Sequence, residues 1–423
     1  MEQRHFFRAR CGHVFVQFRQ HIICTRHQLP IQMFCPHNNS TCEPFIVVRN
    51  HCKNFSSSRC SNISVDSDKR EPEYLEIVTQ TANRMRSAVR KYVEENARSL
   101  FDSNQFTYET PPRIKLVGIL ATKNAYHSTR HDDDDTHGNE LYSEQIANML
   151  HLDGIAYEPW RVPPKRESIE RSIQHANERL DVHGILVFYP IEDLDRRGPY
   201  KCQSTGVYYK SMDDYFRDMV SPEKDVEGYR RKGLRMRKSE EGFDETIFAA
   251  SKDFGPIYPC TALAVFRILE SLKLSRNYSK IESSKRLFEG MTMTIINRSE
   301  VLGLPLAIML SNQGATVYSI DKNSILKFGE ERVKREPATR TIKQCVQLSS
   351  VVVSGVPSLS FRVPTEYIRE NAILINVAME SNFEEEEVTK ISGITYVPNV
   401  GRVTVTALEL NLCLLHQNHH RDK

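Results

Sequence analysis

The stretch Ile295–Leu310, IINRSEVLGLPLAIML, constrains the fold more than any other part of the chain. An apolar run ends at Ile296, polar residues occupy Asn297–Glu300, and apolar residues resume from Val301. That is the pattern of a buried strand turning directly into a helix. Pro305 suits the first helical turn, where its missing N–H leaves no hydrogen bond unmade. A turn of this kind gathers free backbone N–H groups at the positive end of a helix dipole, so it can hold a pyrophosphate. Such turns usually carry three glycines, which let the backbone approach the anion. Here only Gly303 is present, placed for close packing of helix on strand. Arg298 can neutralise a pyrophosphate instead, and Ser299 can donate a hydrogen bond, with Asn297 beside them. The pattern alone is weak, because many such turns carry Ser and Arg without binding a ligand.

The next strand, ATVYSID, follows Gly314 and ends at Asp321, 24 residues after Asn297. An acid there accepts hydrogen bonds from the ribose hydroxyls of NAD and repels a 2′-phosphate. Spacing alone reads Asp321 equally well as a turn residue before Asn323, and the cation Lys322 could tolerate NADP. VVVSGVP (351–357), AILINVA (372–378) and ITYVPNV (394–400) read as further strands, and Thr404–Leu415 as a closing helix.

Upstream, Glu73–Asn96 places Leu75, Val78, Ala82, Met85 and Val89 at helical spacing. Strand-like runs follow at Ile114–Ala121, Ile155–Val162 and Gly184–Pro190, separated by helices around Leu141–Leu152 and Lys165–Leu180. This β-α-β-α-β order predicts a parallel sheet covered by helices. Thr261–Leu274 reads as an amphipathic helix. Two α/β units are expected, over 71–260 and 261–423, with 1–70 a disordered extension. The basic interval Ser221–Pro259 and the acidic run His131–His137 read as solvated connections, since consecutive like charges repel and extend.

A length of 423 residues allows two or three domains. A net charge of +3 argues against a nucleic-acid footprint, and no apolar run approaches the ~20 residues of a membrane helix. Six of the ten cysteines fall in the first 60 residues without a C-x2-C pair, so no metal site is expected. The other four are far apart, as in a reduced, cytoplasmic protein. The excess of arginine over acids at the N-terminus leaves a mitochondrial presequence open.

Several stretches together carry a family resemblance: GILVFYP, PEKDVEGY (222–229), YPCTALAVFRILE (258–270), INRSEVLGLPLA, GATVYSID, SGVPS, FRVPTEYIRENAILINVA and YVPNVGRVTVTALELN. Through them the chain resembles the methylenetetrahydrofolate dehydrogenase/cyclohydrolase family, and within it the monofunctional NAD-dependent branch of yeast type. The resemblance covers most of Glu71–His416. It implies an N-terminal α/β folate domain, a C-terminal Rossmann NAD-binding domain and a homodimer. The implied reaction is hydride transfer from 5,10-methylenetetrahydrofolate to NAD, in one-carbon and purine metabolism.

The resemblance also assigns residues. Tyr142 matches the tyrosine that stacks on the folate; otherwise it reads as a half-buried helix tyrosine. Asp225 and Glu227 match the acidic pair near the pterin; otherwise they are loop acids. Phe188 and Pro190 fall in the substrate-side V-Q-L-P stretch, with Phe188 replacing its glutamine. Cys260 matches a cysteine often treated as catalytic, although no step requires a thiolate and a buried structural cysteine fits as well. Arg298, Ser299, Gly303, Asp321, Lys322, Gly355, Val356, Pro357 and Asn376 fall on the cofactor side. One departure is chemical. The bifunctional enzymes carry Y-x-x-x-K, and here Ile146 occupies the lysine position, one helical turn from Tyr142. Isoleucine neither donates a hydrogen bond nor carries charge, so weak or absent cyclohydrolase activity is expected. The competing expectations are an NADP-dependent bifunctional enzyme and a non-catalytic nucleotide-binding paralogue.

Overall fold

Three short parallel strands, β1 (Lys115–Ala121), β2 (Ala156–Val162) and β3 (Gly184–Val187), form a sheet in the order β2-β1-β3. The central strand buries Leu116, Val117, Ile119 and Leu120, the continuous apolar run of a parallel strand covered on both faces. Helices α1 (Glu73–Arg98), α2 (Asp134–Leu152) and α3 (Arg166–Glu178) accompany it. These elements come from a computed structural model that describes residues 73–98, 114–122, 134–191, 200–202, 206–229, 257–275, 286–329, 336–337 and 339–421. The expected N-terminal extension with its six cysteines, His131–Asp133, and most of the basic interval lie outside the described residues.

Helix α2 begins at Asp134, inside the run expected to be a loop. Acidic residues are favoured in the first turn of a helix, where unpaired N–H groups and the dipole present positive charge. A two-stranded hairpin, β4 (Tyr200–Lys201) with β5 (Tyr208–Tyr209), and helix α4 (Met212–Met219) follow and were not expected. Ser211 caps α4 by accepting the Asp214 N–H.

Helix α5 (Cys260–Ser275) leads to the second sheet. Its elements are β6 (Thr292–Ile296), α6 (Gly303–Asn312), β7 (Thr316–Asp321), β8 (Ser324–Phe328), β9 (Glu336–Pro337), α7 (Ile342–Leu348), β10 (Val351–Ser354), β11 (Ile373–Asn376), α8 (Glu385–Val388), β12 (Thr395–Val397) and α9 (Gly401–His419). The strand order is β12-β11-β10-β6-β7-β8-β9. Strands β12 to β7 are parallel, while β8 and β9 add an antiparallel edge. The fold is therefore α/β with a Rossmann-type second half, as expected. The antiparallel edge and helices α7 and α8 are additions.

One hydrophobic core runs from α1 and β1 through α5 to β6, β10 and α9, and the outer faces of the two sheets carry separate clusters. Helix α9 extends past Leu415 to His419, packs along α1 and α5, and reaches α2 and β3. Residues 70–423 thus cohere as one unit. At the α1–α2 junction the buried Asp153 carboxylate accepts hydrogen bonds from Arg86 and Arg90, each at 2.7 Å. Beside it Glu409, fully buried on α9, has its carboxyl pushed up to about 8 by burial and by the Asp153 charge. Among the described residues, no helix is long and apolar enough to cross a membrane.

Candidate active site

The order of the second sheet reverses between β6 and β10, and ligand crevices of doubly wound sheets open at such a point. Asn297, the residue after β6, has φ of 86°, in the left-handed region that Asn tolerates better than most side chains. Its Nδ2 donates to the Gly355 carbonyl and so ties the ends of β6 and β10 together. A Cβ on Gly303 would overlap the Asn297 carbonyl oxygen and lie 2.9 Å from the Arg298 Cα. Helix α6 therefore meets the turn backbone to backbone, which only glycine allows. Ser299 Oγ accepts the Leu302 and Gly303 N–H groups at 3.2 and 3.4 Å, so the turn itself meets two donors at the start of α6.

Arg298 extends sideways. Its guanidinium donates to the hydroxyl and carbonyl of Ser319 and of Ser324, at 2.6 to 3.1 Å. It is thereby fixed across β7 and β8, at the strand end that carries Asp321. Asp321 is exposed and accepts the backbone N–H of Lys322, itself exposed. Gly355, Val356 and Pro357 follow β10. Asn382, fully buried and not anticipated, accepts from Ser354 Oγ and the Val356 N–H and donates to the Val356 carbonyl. Asn376 accepts the Asn382 N–H and donates to the Ala378 and Pro398 carbonyls. Its amide thus shapes the loops after β11 and β12 from a buried position.

The facing wall comes from the first sheet. Tyr142 on α2 meets Phe188, just past β3, edge to face with centroids 6.1 Å apart. Phe188 is buried and Pro190, two residues on, is exposed. Asp225 forms an isolated parallel bridge with Ile185, inside β3, so its loop runs alongside that strand. Before it, the buried Lys224 ammonium donates to the carbonyls of Ala176, Asn177 and Arg179, at 2.7 to 3.0 Å. These are carbonyls at the C-terminal end of α3, where the helix has no N–H of its own to offer. The loop carrying the two acids is thus fastened to a helix end.

Burial, and then the Asp225 charge, push the Glu227 carboxyl up to about 8; Arg217 and a hydrogen bond from Tyr229 act the other way. Burial raises the Tyr142 hydroxyl, helped by the nearby Cys260 and Glu227. Burial and Glu227 also raise the Cys260 thiol well above its ordinary value. Its Sγ donates to the Val226 carbonyl at 3.3 Å. Asn411 on α9 donates to the same carbonyl and to that of Tyr258, both at 2.8 Å. The thiol is therefore kept protonated, a structural setting and not that of a nucleophile. Ile146 is fully buried in the core below Tyr142. At the rim, Lys210 and Glu300 pair at 2.6 Å, joining the segment before α4 to the turn before α6.

Lys224 and Asn411 lie inside the motifs KDVEG and ALELN, so a signal for them was present. Nothing local in the sequence marks Asn382.

Residues 259–420 match the family described as tetrahydrofolate dehydrogenase/cyclohydrolase, NAD(P)-binding domain. The chain is 35% identical over 290 residues to the NAD(+) methylenetetrahydrofolate dehydrogenase of Saccharomyces cerevisiae, covering 66% of this chain and 82% of that protein. It is 34% identical over 286 residues to the Dictyostelium discoideum enzyme of the same name, covering 67% and 83%. The solved structure of the NAD-dependent 5,10-methylenetetrahydrofolate dehydrogenase from S. cerevisiae superposes with a TM-score of 0.62 at 28% identity, covering 81% of this chain and 96% of that one.

Proposed function

The chain belongs to the tetrahydrofolate dehydrogenase/cyclohydrolase family, and on that footing we propose that it oxidises 5,10-methylenetetrahydrofolate to 5,10-methenyltetrahydrofolate with NAD as acceptor, without appreciable cyclohydrolase activity. The observation that carries this reading is the wall formed by Tyr142, Phe188 and Glu227, with the apolar Ile146 buried one turn below the tyrosine.

The nicotinamide supplies the hydride acceptor. Hydride loss leaves a cation delocalised over the two nitrogens flanking the one-carbon unit, so the step needs no general acid or base. The chain's task is orientation. In this reading Tyr142 stacks on the folate, Phe188 keeps its ring in place, and Glu227 with Asp225 accepts N–H groups of the pterin. On the other wall the glycine contact at Gly303 fits a backbone cradle for phosphates, with Arg298 and Ser299 beside it and Asp321 set to accept from the ribose. Gly355, Val356 and Pro357 border the same crevice, and Asn376 supports it. Cys260 serves this reading as a wall residue.

Cyclohydrolysis would need a group to assist water at the methenyl carbon. Ile146 has no proton or charge to give and is sealed in the core. The division into a folate domain over 71–260 and an NAD domain over 261–423, the homodimer, the cytoplasmic location and the role in purine metabolism belong to the same proposal.

NADH formation from methylenetetrahydrofolate, run beside NADP, tests the reading directly. A rate with NAD well above that with NADP is expected. Rapid hydrolysis of added methenyltetrahydrofolate would refute the monofunctional assignment.

A further inference from the structure

Arg217 lies on α4, an element that no motif marks, yet its side chain is held on the substrate wall. The guanidinium stands 4.7 Å from the ring centre of Tyr189, the residue between Phe188 and Pro190. It stands 5.4 Å from the ring centre of Tyr229, two residues past Glu227. Asp214 accepts from it at 3.2 Å. Its Nε is buried without a hydrogen-bond partner, and so is the Tyr189 hydroxyl. A cation clamped between two aromatic faces with donor capacity left over is poorly explained as a structural tie alone.

We propose that Arg217 is a positioning residue for substrate, supplying the positive charge that opposes protonation of Glu227 and so favours the carboxylate that accepts the pterin's N–H groups. This rests on the folate reading given above. The groups facing Glu227 divide clearly. Asp225 from its own loop opposes a second negative charge, and Tyr142, Tyr189 and Cys260 sit near it as neutral groups under the same burial. Tyr229 donates a hydrogen bond, and Arg217 is the cation that opposes protonation. An uncharged Glu227 would lose one of its acceptor sites to its own proton. Without Arg217 the ionised fraction at neutral pH falls, and folate affinity falls with it.

The test compares wild type, Arg217→Gln and Arg217→Lys for kcat and both KM values from pH 6 to 10. Arg217→Gln is expected to raise the folate KM ~10-fold near pH 7, leave the NAD KM and kcat within ~3-fold, and move the acid limb of kcat/KM for folate up by about one pH unit. The defect should therefore shrink at high pH. Arg217→Lys keeps the charge and should restore the limb; it also decides the matter if the glutamine variant does not fold. An acid limb that stays in place in Arg217→Gln, or one that Arg217→Lys displaces fully, overturns the inference. A wild type without methylenetetrahydrofolate oxidation overturns the underlying folate reading instead.

Discussion

The two walls of the crevice are built from different chemistry. On the cofactor side the groups are amides, hydroxyls and one guanidinium, with the exposed Asp321 and Lys322 at the strand end; those of Asn297, Arg298, Ser299, Asn376 and Asn382 are occupied in holding backbone. On the substrate side the groups are ionisable and several are displaced from their ordinary range: Glu227, Tyr142, Cys260 and, behind β3, His183. The pyrophosphate and riboses of a dinucleotide keep one charge state while the nicotinamide reacts, so a fixed mould serves that part of it. A substrate that becomes a cation during the reaction is better met by groups whose charge the fold controls. Apart from Glu409 on α9, the pH sensitivity of the molecule should therefore reside in its first half, and geometric intolerance in its second.

The harshest way to break this contrast is to disturb the mould. Gly303→Val forces a side chain into the Asn297 carbonyl, and overpacking of this kind costs ~3 kcal/mol. A large fall in Tm together with loss of NAD binding by calorimetry is expected. Normal affinity would mean that α6 can slide away from the turn.

The second prediction concerns acid. His183 is pushed down to about 3 by burial, then by the His416, His420 and Lys224 charges, with Asp181 opposing. A group with a depressed folded-state value binds fewer protons folded than unfolded. Its contribution is thus present above its unfolded value of 6.5 and is lost as pH falls from there towards 3. Urea titrations should show a loss on the order of 1–2 kcal/mol between pH 7 and pH 5, flattened in His183→Gln. An unchanged slope in that variant would place the acid sensitivity elsewhere.

A smaller effect is expected at Asp321. Asp321→Ser should lower kcat/KM for NAD ~10-fold, the scale of one charge-assisted hydrogen bond, and narrow the gap to NADP. An unchanged preference would detach this carboxylate from the ribose. Smallest of all is Cys260→Ser. A protonated thiol bonded to a carbonyl is replaced by a hydroxyl that can do the same, so kcat should stay within ~3-fold. A hundredfold loss would restore the cysteine to the chemistry.

Much of the parallel framework was legible because buried strands and amphipathic helices impose their periods on the sequence. Gly303 was legible for a related reason: one residue type solves a backbone contact. The errors have physical causes too. The start of α2 was hidden by an acidic run that helix N-termini and loops both favour. Strand β8 is short and pairs with β7 through a tight turn, so Ser324 could not be foreseen as a partner of Arg298. Asn411 reaches carbonyls more than 150 residues away in sequence, a distance at which spacing carries no information. Glu227 was found through its motif, while its protonation balance depends on α4, an element whose eight residues are too few to register as a period.

The buried ammonium of Lys224 has a consequence for how substrate is met. A surface loop bearing two acids would ordinarily sample many shapes, and a ligand would have to select one of them. Moored to the last carbonyls of a helix, this loop has its geometry decided during folding. Folate should then associate in a single fast kinetic phase, with no slow isomerisation after the encounter.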